Sequence, residues 1–285
     1  MSSVLYDELG PRGRRRVRIA SAVAYVLLAL LAYVALRRLA DNGQLEGDRW
    51  KNLTATALLK FLFQGLWANV KAAVVGMALA LVLATVLALG RLSRNVVVRW
   101  LSGFVIETFR GLPQLLFILG AALLLPKYGY ELDPIYYVIV GLTLYEGAVL
   151  AEIFRAGILS LDRGQSEAAY AVGLSYRQAM AFVVVPQAVR RMAPAIVSQL
   201  VTLFKDTSLG YAIAYEEMVR RGRIAFTQYG ESLLQIVLLV ALTFMLINMT
   251  LSRYARRLEQ RQSRRYGGGA PQVAGVEDLA VLEKP

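Results

Sequence analysis

Residues 232–252 read SLLQIVLLVALTFMLINMTLS, 21 residues without one charged side chain, bounded by Glu231 and Arg253. At 1.5 Å of rise per residue such a helix is about 30 Å long, the thickness of the hydrocarbon core of a bilayer. A helix of this length without a charge and with few polar groups needs no aqueous side, so the run predicts a membrane span. The rest of the chain agrees. Of 285 residues, 57% are hydrophobic and 18% charged, with a mean hydropathy of +0.49, where a soluble chain carries about 25% charged residues.

Working outward, five further runs have the same character. Ile19–Leu36 is 18 residues without a charge, preceded by Arg12, Arg14, Arg15, Arg16 and Arg18 and followed by Arg37 and Arg38. It is longer than a signal-peptide core, and arginines stand where small cleavage-site residues belong, so it reads as a retained helix. A second span covers 61–90, with Lys71 inside it, and a third covers 100–126, where Glu107 and Arg110 are three residues apart and expected to neutralise each other. The fourth runs over 134–158 and holds Glu146, Glu152 and Arg155. The fifth, 192–215, is interrupted by Lys205-Asp206-Thr207-Ser208. The expected organisation is therefore a basic N-terminus (1–18), a first helix (19–36), a linker (37–60), a five-helix core (61–252) and a tail (253–285). That tail is basic, then GGGAP, then weakly acidic, a composition that favours disorder.

Six helices place both termini on one side. There are 32 Lys and Arg against 20 Asp and Glu, a net charge of +12. Twenty of the basic residues fall in the N-terminus, the 91–99 loop, the 155–191 segment and the tail, and nine in the opposite loops. The richer face is expected to be cytoplasmic, and the excess is topological rather than a sign of nucleic-acid binding. There is no His and no Cys, which excludes zinc sites built on them, thiol nucleophiles and Ser-His-Asp triads. No GxxxxGK[ST] string occurs, so the phosphate-cradling loop of a P-loop ATPase is absent.

The polar segment 159–191 carries the most information. QSEAAYAVGLSYRQAMAFVVVPQAVRRMAP (165–194) reads as two short helices with an elbow. Gly173 suits the left-handed position that ends a helix, Ser175 and Gln178 have capping-box spacing, and Pro186 and Pro194 bracket the entry to span five. Glu167-Ala168-Ala169 offers a small surface with one charge that a partner can approach closely. On these grounds alone, an amphipathic helix on the membrane surface and a docking elbow are both open.

This segment resembles the E-A-A-x3-G-x9-I-x-L-P pattern of the membrane subunits of ABC importers, through Glu167, Ala168, Ala169, Gly173 and Pro186, with Val183 and Val185 in place of Ile and Leu. ETFRGLPQLL (107–116), AEIFRAGI (151–158), VPQAVRRMAP (185–194) and KDTSL (205–209) are similar to the polar amino acid subfamily, and most like its GluD-type glutamate permeases, which also have an extra first helix. The resemblance covers about residues 60–255. It implies an all-α membrane protein with six transmembrane helices, the type I ABC importer permease fold, and a cytoplasmic coupling helix formed by the Glu167 elbow. It further implies a second permease chain, two ATPase subunits that bind ATP and Mg, an external solute-binding protein, and a bacterial cell membrane as location. The chain itself would hold no cofactor or metal and would not be an enzyme. The first helix, absent from five-helix members, would be peripheral.

Charges inside spans cost on the order of 2.5–3.5 kcal/mol at a helix centre and so tend to face a cavity or a partner. Lys205, Asp206, Thr207 and Ser208 lie where the resembled family lines its central pocket, and the alternative is an internally paired structural site. Lys71 lines a pathway, snorkels or pairs with an acid on another helix. Tyr145 and Glu146 depart from the small polar residues usual there, and either tune specificity or fill space. For Arg110 a pathway contact competes with pairing to Glu107, and Glu152 with Arg155 reads as a local ion pair. Lys71, Arg110 and Lys205 favour an acidic substrate such as glutamate, while Asp206 and Glu146 offset them. An ATP-independent secondary transporter or channel is the rival class, and it would leave the elbow without a partner.

Overall fold

The computed structural model describes residues 10–229 and 232–266, and no strand occurs among them. Helix α1 (Pro11–Asp41) starts on a proline, whose fixed φ and missing N–H suit a first helical turn, and buries none of its residues. A linker with the short α2 (Gly47–Lys51) follows. It is tied to the start of the last helix, where Gln235 Nε2 donates to the Gln44 carbonyl at 2.7 Å and Asn52 Nδ2 to Ser232 Oγ at 3.1 Å.

The centre is a pair of long helices, α3 (Thr56–Arg91) and α6 (Pro134–Leu159). Ala72, Gly76, Ala80 and Ala84 recur every fourth residue on one face of α3, and all are buried. Small residues let two backbones approach closely, which is how helices gain packing energy in a solvent as apolar as themselves. On α6, Gly147 answers them: it is buried, and a Cβ there would sit 2.7 Å from a side-chain carbon of Leu83.

Between them the expected straight span over 100–126 is broken. Helix α4 (Val96–Gly111) and α5 (Gln114–Leu124) meet at 97°. The cause is Pro113: its ring disfavours the helical region at the preceding residue, and Leu112 is extended, φ −98° and ψ 144°. The expected Glu107–Arg110 pair is not what forms either. Because α4 crosses the end of α3, Glu107 meets Arg91 instead, 3.3 Å away.

The polar segment folds into α7 (Arg163–Ala171) and α8 (Tyr176–Ala179). The second does not stop before span five. It passes through one π-helical turn, Met180–Val184, into α9 (Val185–Asp206), so the helix begins sixteen residues before Met192, the expected start. The widened turn lies directly ahead of Pro186, whose ring would otherwise meet the carbonyl four residues back. After Asp206 the helix tightens to a 3-10 turn over Thr207–Ile213. A further helix, α10 (Met218–Tyr229), where the polar run after 215 predicts a loop, leads to α11 (Leu233–Tyr266). The basic stretch after Arg253, expected as disordered tail, continues α11 to Tyr266, and the remainder of the tail lies outside the described residues, as do residues 1–9. Among the described residues five helices are long and apolar enough to cross a membrane, or six with α4 and α5 taken as one broken span.

Candidate functional site

Two places stand out, a groove beside the 3-10 turn and the elbow at the other end of the bundle. The groove is a cavity of about 580 Å³ between the end of α9, the 3-10 turn, α10 and α11. Its wall is mostly aliphatic, from α10 and α11, but Lys205, Ser208, Tyr211, Arg223 and Asn248 supply polar groups along it. Lys205 is exposed. Ser208 Oγ donates to the Lys205 carbonyl at 2.7 Å. Arg223 donates to the Tyr211 hydroxyl, and the guanidinium groups of Arg220 and Arg223 lie 5.8 and 5.7 Å from the Tyr211 ring centroid. Lys205 and Arg223, with the Tyr211 phenol, on an apolar wall can hold an anionic group at one end of a partly apolar molecule.

The 3-10 turn is anchored from behind. Asn69 on α3, Thr207 and Glu217 are fully buried, and Asn69 Nδ2 donates to Thr207 Oγ1 at 2.8 Å and to Glu217 Oε2 at 3.2 Å. Glu217 accepts from the backbone N–H of Val219 and Arg220 at 2.9 and 2.7 Å, which caps α10. Burial pushes the Glu217 carboxyl above the ordinary carboxylate range, while those hydrogen bonds pull it down.

The elbow is built as its residues dictate. Asp162 Oδ1 accepts from Gly164 N at 2.8 Å and starts α7. At its end Leu174 N donates to the Ala169 carbonyl at 3.1 Å and Gly173 N to that of Tyr170 at 2.9 Å, a Schellman motif, with Gly173 at φ +83°. The Ser175–Gln178 capping box then opens α8. Ala169 is buried, whereas Glu167, Ala168 and Gly173 are exposed, and Val172 at the tip is 77% exposed. Arg94, from the α3–α4 loop, lies 4.9 Å from the Tyr176 ring and holds the elbow to the bundle. The turn therefore presents one acid, Glu167, and one bare valine, Val172, to its surroundings.

Residues 76–264 match the family model described as binding-protein-dependent transport system inner membrane component. The chain belongs to that family. Among curated relatives it is 39% identical to the glutamate transport system permease protein GluD of Corynebacterium glutamicum, over 78% of this chain and 83% of that one. It is 40% identical to the probable glutamine ABC transporter permease protein GlnP of Bacillus subtilis, over 72% of this chain and 95% of that one. Among solved structures, an amino acid ABC transporter crystallised with histidines superposes with a TM-score of 0.67 at 24% identity, covering 73% of this chain and 97% of its own. A permease of the MetNI methionine transporter gives 0.58 at 18%, covering 72% and 99%. This is the ABC importer permease fold, in a membrane protein.

Within the permease, the candidates read from sequence separate. Lys205 and Ser208 share the groove. Lys205 and Asp206 are consecutive, so their side chains leave the helix about 100° apart. Asp206, half-buried, lies within electrostatic reach of Glu146 as well as of Lys205. Thr207 faces the core, not the groove. Glu146 is fully buried in the α6–α9 contact, where Gln199 Nε2 donates to its Oε2 at 2.6 Å, and Tyr145 is half-buried beside it. Lys71 is exposed and lines a separate cavity of about 650 Å³ with Gln64, Trp67, Asp133 and Arg221. Arg110 is exposed at the end of α4, within electrostatic reach of Glu152. Arg155 Nε grips both oxygens of Glu152 at 3.0 Å, the local ion pair expected. Sequence reading missed Asn69, Tyr211, Glu217 and Arg223. Asn69 is a lone amide on the small-residue face of α3, and Glu217 stands just ahead of a helix that the short polar run 216–231 did not reveal.

Proposed function

We propose that this chain is one wall of the import pathway for glutamate or a related polar amino acid, in an assembly of two permease chains, two ATPase chains and an external binding protein. The observation that carries the reading is the groove. A lipid-facing surface has no use for Lys205, Ser208, Tyr211, Arg223 and Asn248, and charged or polar groups within a span tend to face water or a partner. Lys205 and Arg223 suit a carboxylate, the apolar wall suits a short side-chain stem, and the second permease chain would close the open side. The Glu167 elbow, with Ala168, Ala169 and Gly173, would seat in a separate ATPase chain that binds ATP and Mg. ATP binding there would shift this chain between inward-open and outward-open states, a population change imposed by partners. The 20 basic residues of the termini, the 91–99 loop and the 155–191 segment support a cytoplasmic assignment for that face, at the bacterial plasma membrane.

Uptake of radiolabelled L-glutamate by membrane vesicles holding the intact importer, with aspartate, glutamine and arginine as competitors, tests the substrate. Aspartate should compete best and arginine least. Lys205→Met should raise the apparent KM roughly tenfold, the loss of one charge-assisted hydrogen bond, with the amount of chain in the membrane unchanged. Unchanged KM and Vmax in that variant would remove the groove from the pathway. Co-purification of an ATPase chain with the wild-type permease tests the assembly.

A further inference from the structure

The structure assigns Asn69, Thr207 and Glu217 a positioning role: together they clamp the 3-10 turn of residues 207–213 and so set where Lys205 and Ser208 stand in the groove. The inference rests on the groove being part of the pathway, and it concerns residues that do not line it.

All three side chains are fully buried and come from separate elements, α3, the α9 end and the start of α10. Asn69 uses both ends of its amide. Its Nδ2 serves Thr207 and Glu217, and its Oδ1 accepts from Met218 N at 3.1 Å. Thr207 Oγ1 accepts from Asn69 and donates to the Phe204 carbonyl at 2.6 Å, satisfying the last turn of α9 just where α geometry gives way to 3-10. One residue on, Ser208 bonds the Lys205 carbonyl, so the clamp holds the segment that presents both groove residues. A second bolt lies alongside, where the Tyr215 hydroxyl donates to the Ala68 carbonyl at 2.9 Å.

Glu217 would need no contact with Asn69 to cap α10, since its two backbone bonds already do so. The extra bond joins the cap to α3 and makes α3, the 3-10 turn and α10 one body. A buried network in which each of these three side chains is bonded favours a single arrangement, because any shift leaves a buried polar group unpaired. Displacement of the turn by a fraction of an ångström would move Lys205 and Ser208 relative to a bound carboxylate without touching the elbow or the ATPase.

The test uses the whole importer in membrane vesicles and exploits the absence of cysteine from the chain. Thr207→Val keeps the shape and removes the hydroxyl, Thr207→Ser keeps the hydroxyl, and Glu217→Gln replaces one acceptor oxygen with a donor, so that at most one of the two capping bonds survives beside the disturbed contact to Asn69. Thr207→Val should raise the apparent KM for radiolabelled L-glutamate roughly tenfold with Vmax within about twofold and the assembled amount unchanged. Thr207→Ser should restore the wild-type KM, and Glu217→Gln should behave as Thr207→Val. Equal uptake kinetics in Thr207→Val and wild type overturn the clamp. So does a loss of assembly in both Thr207→Val and Glu217→Gln, which would make the cluster a folding element only. Ser208→Cys separates this inference from the reading beneath it. If no nucleotide state lets a membrane-impermeant methanethiosulfonate modify that single cysteine, the groove is not an aqueous pathway and both fall. If it is modified while Thr207→Val transports normally, the clamp alone falls.

Discussion

Gly141→Val should leave little or no folded chain in the membrane, whereas Gly120→Ala should accumulate at the wild-type level. Gly141 lies in the middle of α6, where α5 crosses it without an intervening side chain. A Cβ there would sit 2.4 Å from Ile118 Cγ1, 2.7 Å from Ile118 N and 2.9 Å from Ile118 Cα. A side-chain carbon can rotate away, but the two backbone atoms cannot yield unless α5 moves as a whole. Overfilling a packed core costs about 1–3 kcal/mol where neighbours can adjust, and more where they cannot. Moving α5 would also uncover Gln114 and Ile118, both buried. Gly120 is the control, on the same short helix with nothing within 4 Å of its would-be Cβ. Alanine there lowers the entropy of the unfolded chain at no steric cost. Detergent-solubilised, fluorescently tagged chain on a sizing column reads both outcomes. A normal monodisperse peak for Gly141→Val would mean that the α5–α6 contact is looser than described.

The second large effect is at the elbow. Glu167→Lys and Gly173→Val should each abolish uptake while the chain inserts in normal amount, because both sites lie on an exposed turn outside the spans. Space is not the obstacle at Gly173, where nothing lies within 4 Å. Conformation is: at φ +83° a β-branched residue meets its own backbone, at a cost of about 1–2 kcal/mol or more, and α7 would lose its Schellman ending. Gly173→Asn, which tolerates the left-handed region, should keep a large part of the uptake. Glu167→Lys changes only the charge offered to the partner. Immunoblots of membranes, ATPase co-purification and uptake are the three measurements. Normal uptake with the ATPase still bound in both variants would show that this turn is not where the motor docks.

How much of this was legible beforehand follows from the range of the forces involved. The elbow was readable to the residue because every determinant is local: Gly173 N–H bonds Tyr170 three residues back, Leu174 N–H bonds Ala169 five back, and Ser175 bonds Gln178 three residues on. The spans around 134–158 and 232–252 were readable because hydropathy over some twenty residues is a property of the string itself. The break at Leu112–Pro113 carries an equally local signal, the proline, but an apolar run long enough to span concealed it. The direct continuation of α8 into α9 was hidden for the opposite reason. Pro186 suggested a boundary, and only a π turn ahead of it lets the helix run on.

The candidate site divides in the same way. The string KDTS named the right segment, but helix phase and neighbours decided the use of each residue. Lys205 and Ser208 reach the groove, Thr207 turns to the core, and Asp206 leaves at another angle. Glu107 chose Arg91, sixteen residues away, over Arg110, three residues away, because the tilt of α4 set the distances. Tyr211 and Arg223 are unremarkable in the string and meet only because the 3-10 turn and α10 fold against each other. Asn69 and Glu217, 148 residues apart, bond in the interior of the bundle. The amino-acid sequence by itself determined the solvent, the spans around 134–158 and 232–252, the caps of the elbow and the family, all of which rest on composition, short motifs and contacts between near neighbours in the chain. Which polar side chains face the groove and which are bonded away was decided by tertiary packing alone. A buried hydrogen bond depends on distance and angle between elements far apart in the chain, and no local pattern encodes either.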